Sequence, residues 1–257
     1  MNSLRLDYLY RMIAAAVVIL PMTAHAACKH SESGLWNYGG EIGLTHKVRM
    51  SLVFDGDGIR GLYFYATQLH DIRLTGRITD GTTIVLDESD ALGKVVARFD
   101  GGFVEHDPRG KFGNSKLKCE TIVGTWHRLD SAKKLPVYLS LDNISGGSLA
   151  NRYGGKDDGL IHRGALRFQN AIKGGDRAMV ASLIVYPIDV ELSGRKKRLR
   201  GPRDLLASYD TIFSAKYRAA IANAIPWNMF VRDQGVMLGN GEVWFDADGK
   251  ITALNNQ

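Results

Sequence analysis

Residues 46–65 read HKVRMSLVFDGDGIRGLYFY. Val48, Met50, Leu52 and Phe54 take every second position, with Lys47, Arg49 and Ser51 between them. A period of two is that of a strand with one face buried. Asp55-Gly56-Asp57-Gly58 follows as a hairpin turn, and Gly61 to Tyr65 resumes the strand. The acidic turn is not a calcium loop, because no glutamate downstream completes the EF-hand spacing.

The same texture continues outward from this hairpin. Ile72 to Ile78, Ile84 to Leu86, Val95 to Phe99, Ile122 to Trp126 and Val137 to Leu141 follow as strands, with Asp80-Gly81, Leu92-Gly93 and Asp100-Gly101-Gly102 as turns. The pattern predicts an all-β antiparallel meander over 27–142, a barrel or a sandwich. Gly61, Gly76, Gly102 and Gly124 each stand beside a large apolar residue, as expected where a curved wall leaves no room for a side chain. Residues 143–161 (NISGGSLANRYGGKDDGLI) hold five glycines and few apolar side chains, and read as a linker.

Beyond the linker, over 162–257, the period changes. Ala165, Phe168, Ala171 and Ile172 are helix-spaced; Gly174-Gly175 ends that helix and Asp176 caps a second, with Met179, Val180, Leu183 and Ile184 inward. Pro187 starts a strand through Ile188, Val190 and Leu192, which turns at Ser193-Gly194. Pro202 opens a third helix, and Tyr217 to Ile225 forms a fourth before Pro226. The tail alternates again, with Asn240-Gly241 and Asp248-Gly249 as hairpin turns. This order of elements, with FQNAIKGGDRAMVASLIVYP and GVMLGNGEVWF, resembles the nuclear transport factor 2-like (cystatin-like α+β cone) superfamily over about 162–254. The resemblance implies a curved sheet wrapped around helices. That superfamily holds cyclases, dehydratases and isomerases beside members that only bind, so the fold fixes no function.

The first 26 residues read as a signal peptide. Arg5 and Arg11 make a basic n-region before an apolar run, Met12 to Met22, too short to span a bilayer comfortably, and Ala24-His25-Ala26 fits a cleavage site. Export to the periplasm follows, and the whole chain resembles exported bacterial proteins. Cys28 and Cys119, the only cysteines, then favour a disulfide. Lipidation of Cys28 is the alternative, although His25-Ala26-Ala27 lacks the usual leucine before it. Two cysteines exclude a disulfide-dense scaffold and a four-cysteine zinc site. A hydrophobic content of 45% and a charged content of 23% exclude a mostly disordered chain.

Gly-x-Ser-x-Gly, His-Glu-x-x-His, Cys-x-x-Cys and the glycine-rich nucleotide-binding signatures are missing from the sequence, and Ser-x-x-Lys at Ser115/Lys118, Ser131/Lys134 and Ser193/Lys196 reads as chance in a lysine-rich chain. His70-Asp71 is a possible acid/base pair, but neighbouring strand residues point to opposite faces. A cone enzyme would need a carboxylate or tyrosine perturbed by apolar walls; Asp189, Tyr209, Asp210 and Asp233 are the candidates. None is assigned a catalytic role, and no cofactor or metal is assigned. Asp189 should be solvated if Ile188 and Val190 face the core. Trp227, Phe230, Met237 and Trp244 lie on the terminal sheet and, with Asp189 and Tyr209, are the expected lining of a cone pocket.

Arg195, Lys196, Lys197, Arg198, Arg200 and Arg203 form a basic run on the expected hairpin. Residues 27–150 hold 15 basic and 15 acidic groups and residues 151–257 hold 16 and 11, so the excess positive charge lies in the second half. Such a run guards an exposed strand edge from aggregation, and it also suits an acidic protein face or an anionic envelope polymer. Nucleic acid does not fit an exported protein. The expected function is therefore non-enzymatic binding in the envelope, by an inhibitor or immunity-type protein that caps a secreted toxin or cell-wall-acting enzyme. The alternatives are a cyclase, isomerase or dehydratase using the cone, and a small-ligand or lipid carrier using the β-domain as a calyx.

Overall fold

A computed structural model of the chain describes residues 33–104, 120–154, 157–232 and 235–256. Residues 1–26, which read as a signal peptide, lie outside the described residues, as do Cys28 and Cys119 with their expected disulfide, and Asp233. The first half consists of β1 (Leu35–Ile42), β2 (His46–Asp55), β3 (Gly58–Tyr65), β4 (Ile72–Thr79), β5 (Thr83–Ser89), β6 (Val95–Val104), β7 (Thr121–Arg128) and β8 (Leu135–Ser145). Each strand pairs antiparallel with the next and β8 returns to β1, giving a closed eight-stranded barrel. Closure leaves no unpaired edge. The β2–β3 turn is as tight as the sequence implied, with Asp55 opposite Gly58.

Tyr38, Met50, Leu52, Tyr63, Leu74 and Phe99 fill the barrel interior. The space between Met50, Ile84, Leu86, Phe99 and Ile122 is about 10 Å³, against the roughly 300 Å³ that a calyx for a drug-sized ligand would need. A side chain at Gly76 would put its Cβ 2.0 Å from the Val85 carbonyl oxygen, so the curved wall does exclude a side chain there. Strand β8 runs three residues into the stretch that reads as linker, because Asn143, Ile144 and Ser145 still pair with β1. The β1–β8 register slips at one point: Asn37 faces Asn143 but Tyr38 faces Leu141, leaving Asp142 as the extra residue of a bulge.

Helix α1 (Asp158–Gly174) opens the second unit, four residues before the sequence suggests, because Asp157 caps it through Gly159 N–H. Helix α2 (Arg177–Ser182) follows, capped by Asp176 as expected. Next come a two-stranded hairpin, β9 (Ile188–Leu192) and β10 (Arg195–Leu199), and helices α3 (Pro202–Ala207), α4 (Tyr209–Ile212) and α5 (Ala215–Asn223). A four-stranded meander closes the chain: β11 (Phe230–Arg232), β12 (Gly235–Leu238), β13 (Val243–Phe245) and β14 (Ile251–Leu254). Phe168 of α1 packs on Phe213 and Phe245, so the helix lies over the inner face of this sheet.

Gly164 shows how closely α1 sits on the rest of the unit. A Cβ there would lie 2.1 Å from the Gly249 carbonyl oxygen, in the turn before β14. Glycine to alanine in a helix interior normally stabilises by about 1 kcal/mol. Here the backbone must move instead, and overpacking of this kind costs about 1–3 kcal/mol. Gly164→Ala should therefore lower stability in a urea melt, and a rise would show that the helix can lift off the turn.

Candidate functional site

Strict alternation fails where the two units meet. Asn37, Ser51 and Phe64 alternate with interior residues, and so face out of the barrel, yet each is buried. The cover is the segment between α5 and β11. Asn228 Nδ2 donates to Ser51 Oγ at 2.8 Å and to Asn37 Oδ1 at 3.3 Å, and the Trp227 ring meets Phe64 edge-on at 6.5 Å. Asn228 takes a left-handed backbone (φ 46°), a conformation asparagine tolerates better than most residues. Its carbonyl accepts from Arg49 Nη1 at 3.1 Å.

A second group of contacts forms a clasp beside this seam. Asp71, just before β4, accepts from Arg152 Nη2 at 2.6 Å and from Trp227 Nε1 at 3.1 Å. Arg152 is only 5% exposed, and its backbone N–H donates to Asp158 at 2.7 Å in the first turn of α1. His162 of α1 stacks on Trp227 with 3.7 Å between ring centroids, and its Nε2 lies 2.6 Å from the Tyr153 hydroxyl. That hydroxyl also accepts from Met229 N–H at 3.1 Å. Burial, reinforced by the positive charge of Arg152, pushes His162 down to about 4, so at neutral pH it is an uncharged acceptor. Burial likewise holds the Tyr153 hydroxyl above its ordinary value. Closed in by Trp227 and Tyr153, the imidazole works as a structural acceptor. Asp71, the candidate partner of His70, gives one carboxylate oxygen to Arg152 and the other to Trp227.

Next to the clasp the seam opens into a cleft of about 300 Å³. The barrel contributes Asn37, Arg49, Asp142 and Asn143, and the second unit contributes Asn228, Phe230 and Met237. The bulge places Asp142 here. Its carboxylate lies over Gly39 of β1, so close that a Cβ on Gly39 would sit 2.6 Å from Oδ2. Although open to solvent on one side, Asp142 is crowded enough that burial holds its carboxyl above the usual carboxylate range, against the pull of Arg49.

The residues expected to line one cone pocket are dispersed. Phe230 and Met237 are opposite each other in register and share the cleft, with Trp244 next in the same row. That row faces away from α1, since the alternate residues Val236, Leu238, Val243 and Phe245 fill the core. Trp227 belongs to the clasp. Tyr209 is buried against Phe213, under the guanidinium of Arg177. Asp189 is solvated, as its alternation suggested, and pairs with Arg198 at 3.0 Å and Lys196 at 3.2 Å. Asp210 is exposed and pairs with Arg177 at 2.8 Å.

The basic run forms β10 and the turn beyond it. Arg195, Lys196, Lys197 and Arg198 are all exposed and only Leu199 is buried, while Arg200 and Arg203 continue the exposed charge into α3. Strand β10 pairs only with β9 within its sheet. Among the described residues no three histidine, cysteine, aspartate or glutamate side chains converge as metal ligands, and no helix is long and apolar enough to cross a membrane. Comparison with protein-family models, with curated proteins and with solved structures finds no match to the chain.

Proposed function

We propose that the chain is an exported, non-enzymatic binding protein whose basic hairpin engages an acidic face of a partner protein. The partner type we favour is a secreted toxin or cell-wall-acting enzyme that the protein caps. The observation that carries this reading is the hairpin itself, where four consecutive exposed basic side chains meet one ion-paired carboxylate, Asp189. Like charge concentrated on a rigid edge steers an acidic partner and speeds association. Export rests on the apolar run Met12–Met22 and the Ala24-His25-Ala26 site. A cone of the nuclear transport factor 2-like type is our reading of the second unit, supported by its order of two helices, a hairpin, further helices and a terminal meander. A cone enzyme has less support, because Asp189 is half-buried and Asp210 exposed, both salt-bridged, and Tyr209 is packed in the core.

Arg195 and Lys197 alternate with the two residues that pair with Asp189, so they can be reversed without breaking those ion pairs. In capture from a periplasmic extract, Arg195→Glu with Lys197→Glu should slow association roughly tenfold or more at low salt and flatten its salt dependence. Equal capture by the double variant would refute the hairpin as the contact. Retention of an anionic polymer in place of a protein would move the proposal to that class of partner.

A further inference from the structure

The cleft at the seam carries an inference separate from the hairpin. Arg49 and Asp142 lie in the same half-enclosed space, yet among the described residues no ion pair joins them and no hydrogen bond reaches the Asp142 carboxylate. Among the described residues Arg49 is fixed by one donor only, Nη1 to the Asn228 carbonyl. A guanidinium has five N–H donors, so several remain for a ligand. The positions of both groups are built in: a bulge delivers Asp142, a glycine gives its carboxylate room, and the second unit anchors Arg49. Phe230 and Met237 supply an apolar wall opposite, and Asn143 and Asn228 add amides.

We propose that this cleft binds a small zwitterion, a free α-amino acid, with its carboxylate on Arg49, its ammonium on Asp142 and its side chain against Phe230 and Met237. A ligand of one sign would satisfy one of these groups and be repelled by the other. A zwitterion answers both, through charge-assisted hydrogen bonds, the stronger kind. Burial of Asp142 points the same way, because a desolvated carboxylate gains most from a bound cation. A volume of about 300 Å³ is at the small end for ligand pockets and suits a single amino acid.

The test is calorimetric titration of the purified chain with a panel of L- and D-amino acids. Controls are the matching amines without a carboxylate, the matching acids without an amine, and glucose. At least one amino acid should bind, with each singly charged analogue weaker by tenfold or more. Asp142→Asn should weaken that amino acid by tenfold or more without lowering the thermal melt, since the side chain opens to solvent on one side, is penalised by burial on the other, and among the described residues its carboxylate accepts no hydrogen bond. Gly39→Ala should do the same by pushing the carboxylate aside, which separates a positional effect from a charge effect. Failure of every amino acid at millimolar concentration, equal binding of glucose, or indifference to Asp142→Asn would each overturn the proposal. Loss of binding in the reversed hairpin variant would also count against it, because the cleft shares no residue with the hairpin.

Discussion

Replacing Asp71 with alanine should destabilise the chain by about 3 kcal/mol and loosen the barrel from the second unit. Arg152 is almost wholly buried, and among the described residues its guanidinium is ion-paired with one carboxylate, at 2.6 Å. Breaking a buried ion pair by removing one partner costs about 3–5 kcal/mol, because the remaining charge is left without compensation. The lower end applies, since Asp71 keeps 28% of its side chain in solvent and water can enter when the carboxylate is gone. The same substitution deprives Trp227 Nε1 of its acceptor, and Trp227 is the residue that bridges His162 to Phe64. Asp71→Asn can still accept from Trp227 but cannot neutralise Arg152, so it should fall between wild type and alanine. In urea denaturation read by tryptophan fluorescence, Asp71→Ala should also broaden or split the transition as the two cores uncouple. A single transition with an unchanged midpoint would show that the clasp contributes nothing to coupling.

The barrel was largely legible because its strands obey one rule, one face in and one face out, with turns of Asp and Gly between them. Residues 46–65 carry that rule almost without exception, and the structure places the turn where the pattern puts it. Closure was not legible, since the same alternation describes a sandwich; it rests on β8 pairing with β1 from Val137 to Ser145, a long-range pairing that periodicity does not specify. The seam was hidden for a related reason. Asn37 and Ser51 look like ordinary outward polar residues, and only the approach of Asn228 from a distant segment turns them into a buried network. One local signal existed: Tyr63-Phe64-Tyr65 is apolar on both faces, which implies that something covers the outer one. Pro226-Trp227-Asn228 was the matching half, an aromatic flanked by turn-formers. The expected pocket dispersed because Phe230, Met237 and Trp244 sit on the sheet face that turns away from α1, and periodicity fixes which residues share a face but not which face is inward.

Acid should weaken this seam before it unfolds a protein of ordinary composition, and His162 is the cause. Its value in the folded state is about 4, below the ordinary 6.5, chiefly because burial disfavours the charged ring and secondarily because Arg152 repels it. The unfolded chain therefore binds the proton more readily, so stability is complete above about pH 6.5 and is lost progressively as pH falls from there towards 4. The loss over that window should be about 3 kcal/mol. Geometry explains why the folded state resists. The Tyr153 hydroxyl already accepts from Met229 N–H, which leaves its own proton for His162 Nε2. A protonated Nε2 would point a second hydrogen at that oxygen and strand the tyrosine proton in a buried space. His162→Phe keeps a ring against Trp227 but has nothing to titrate; it should cost about 1–2 kcal/mol near neutral pH, where the Tyr153 donor loses its acceptor. Below about pH 5 it should match or exceed the wild type. Parallel loss of stability in both proteins between pH 6.5 and 4 would assign the acid sensitivity to carboxylates elsewhere and remove His162 from the account.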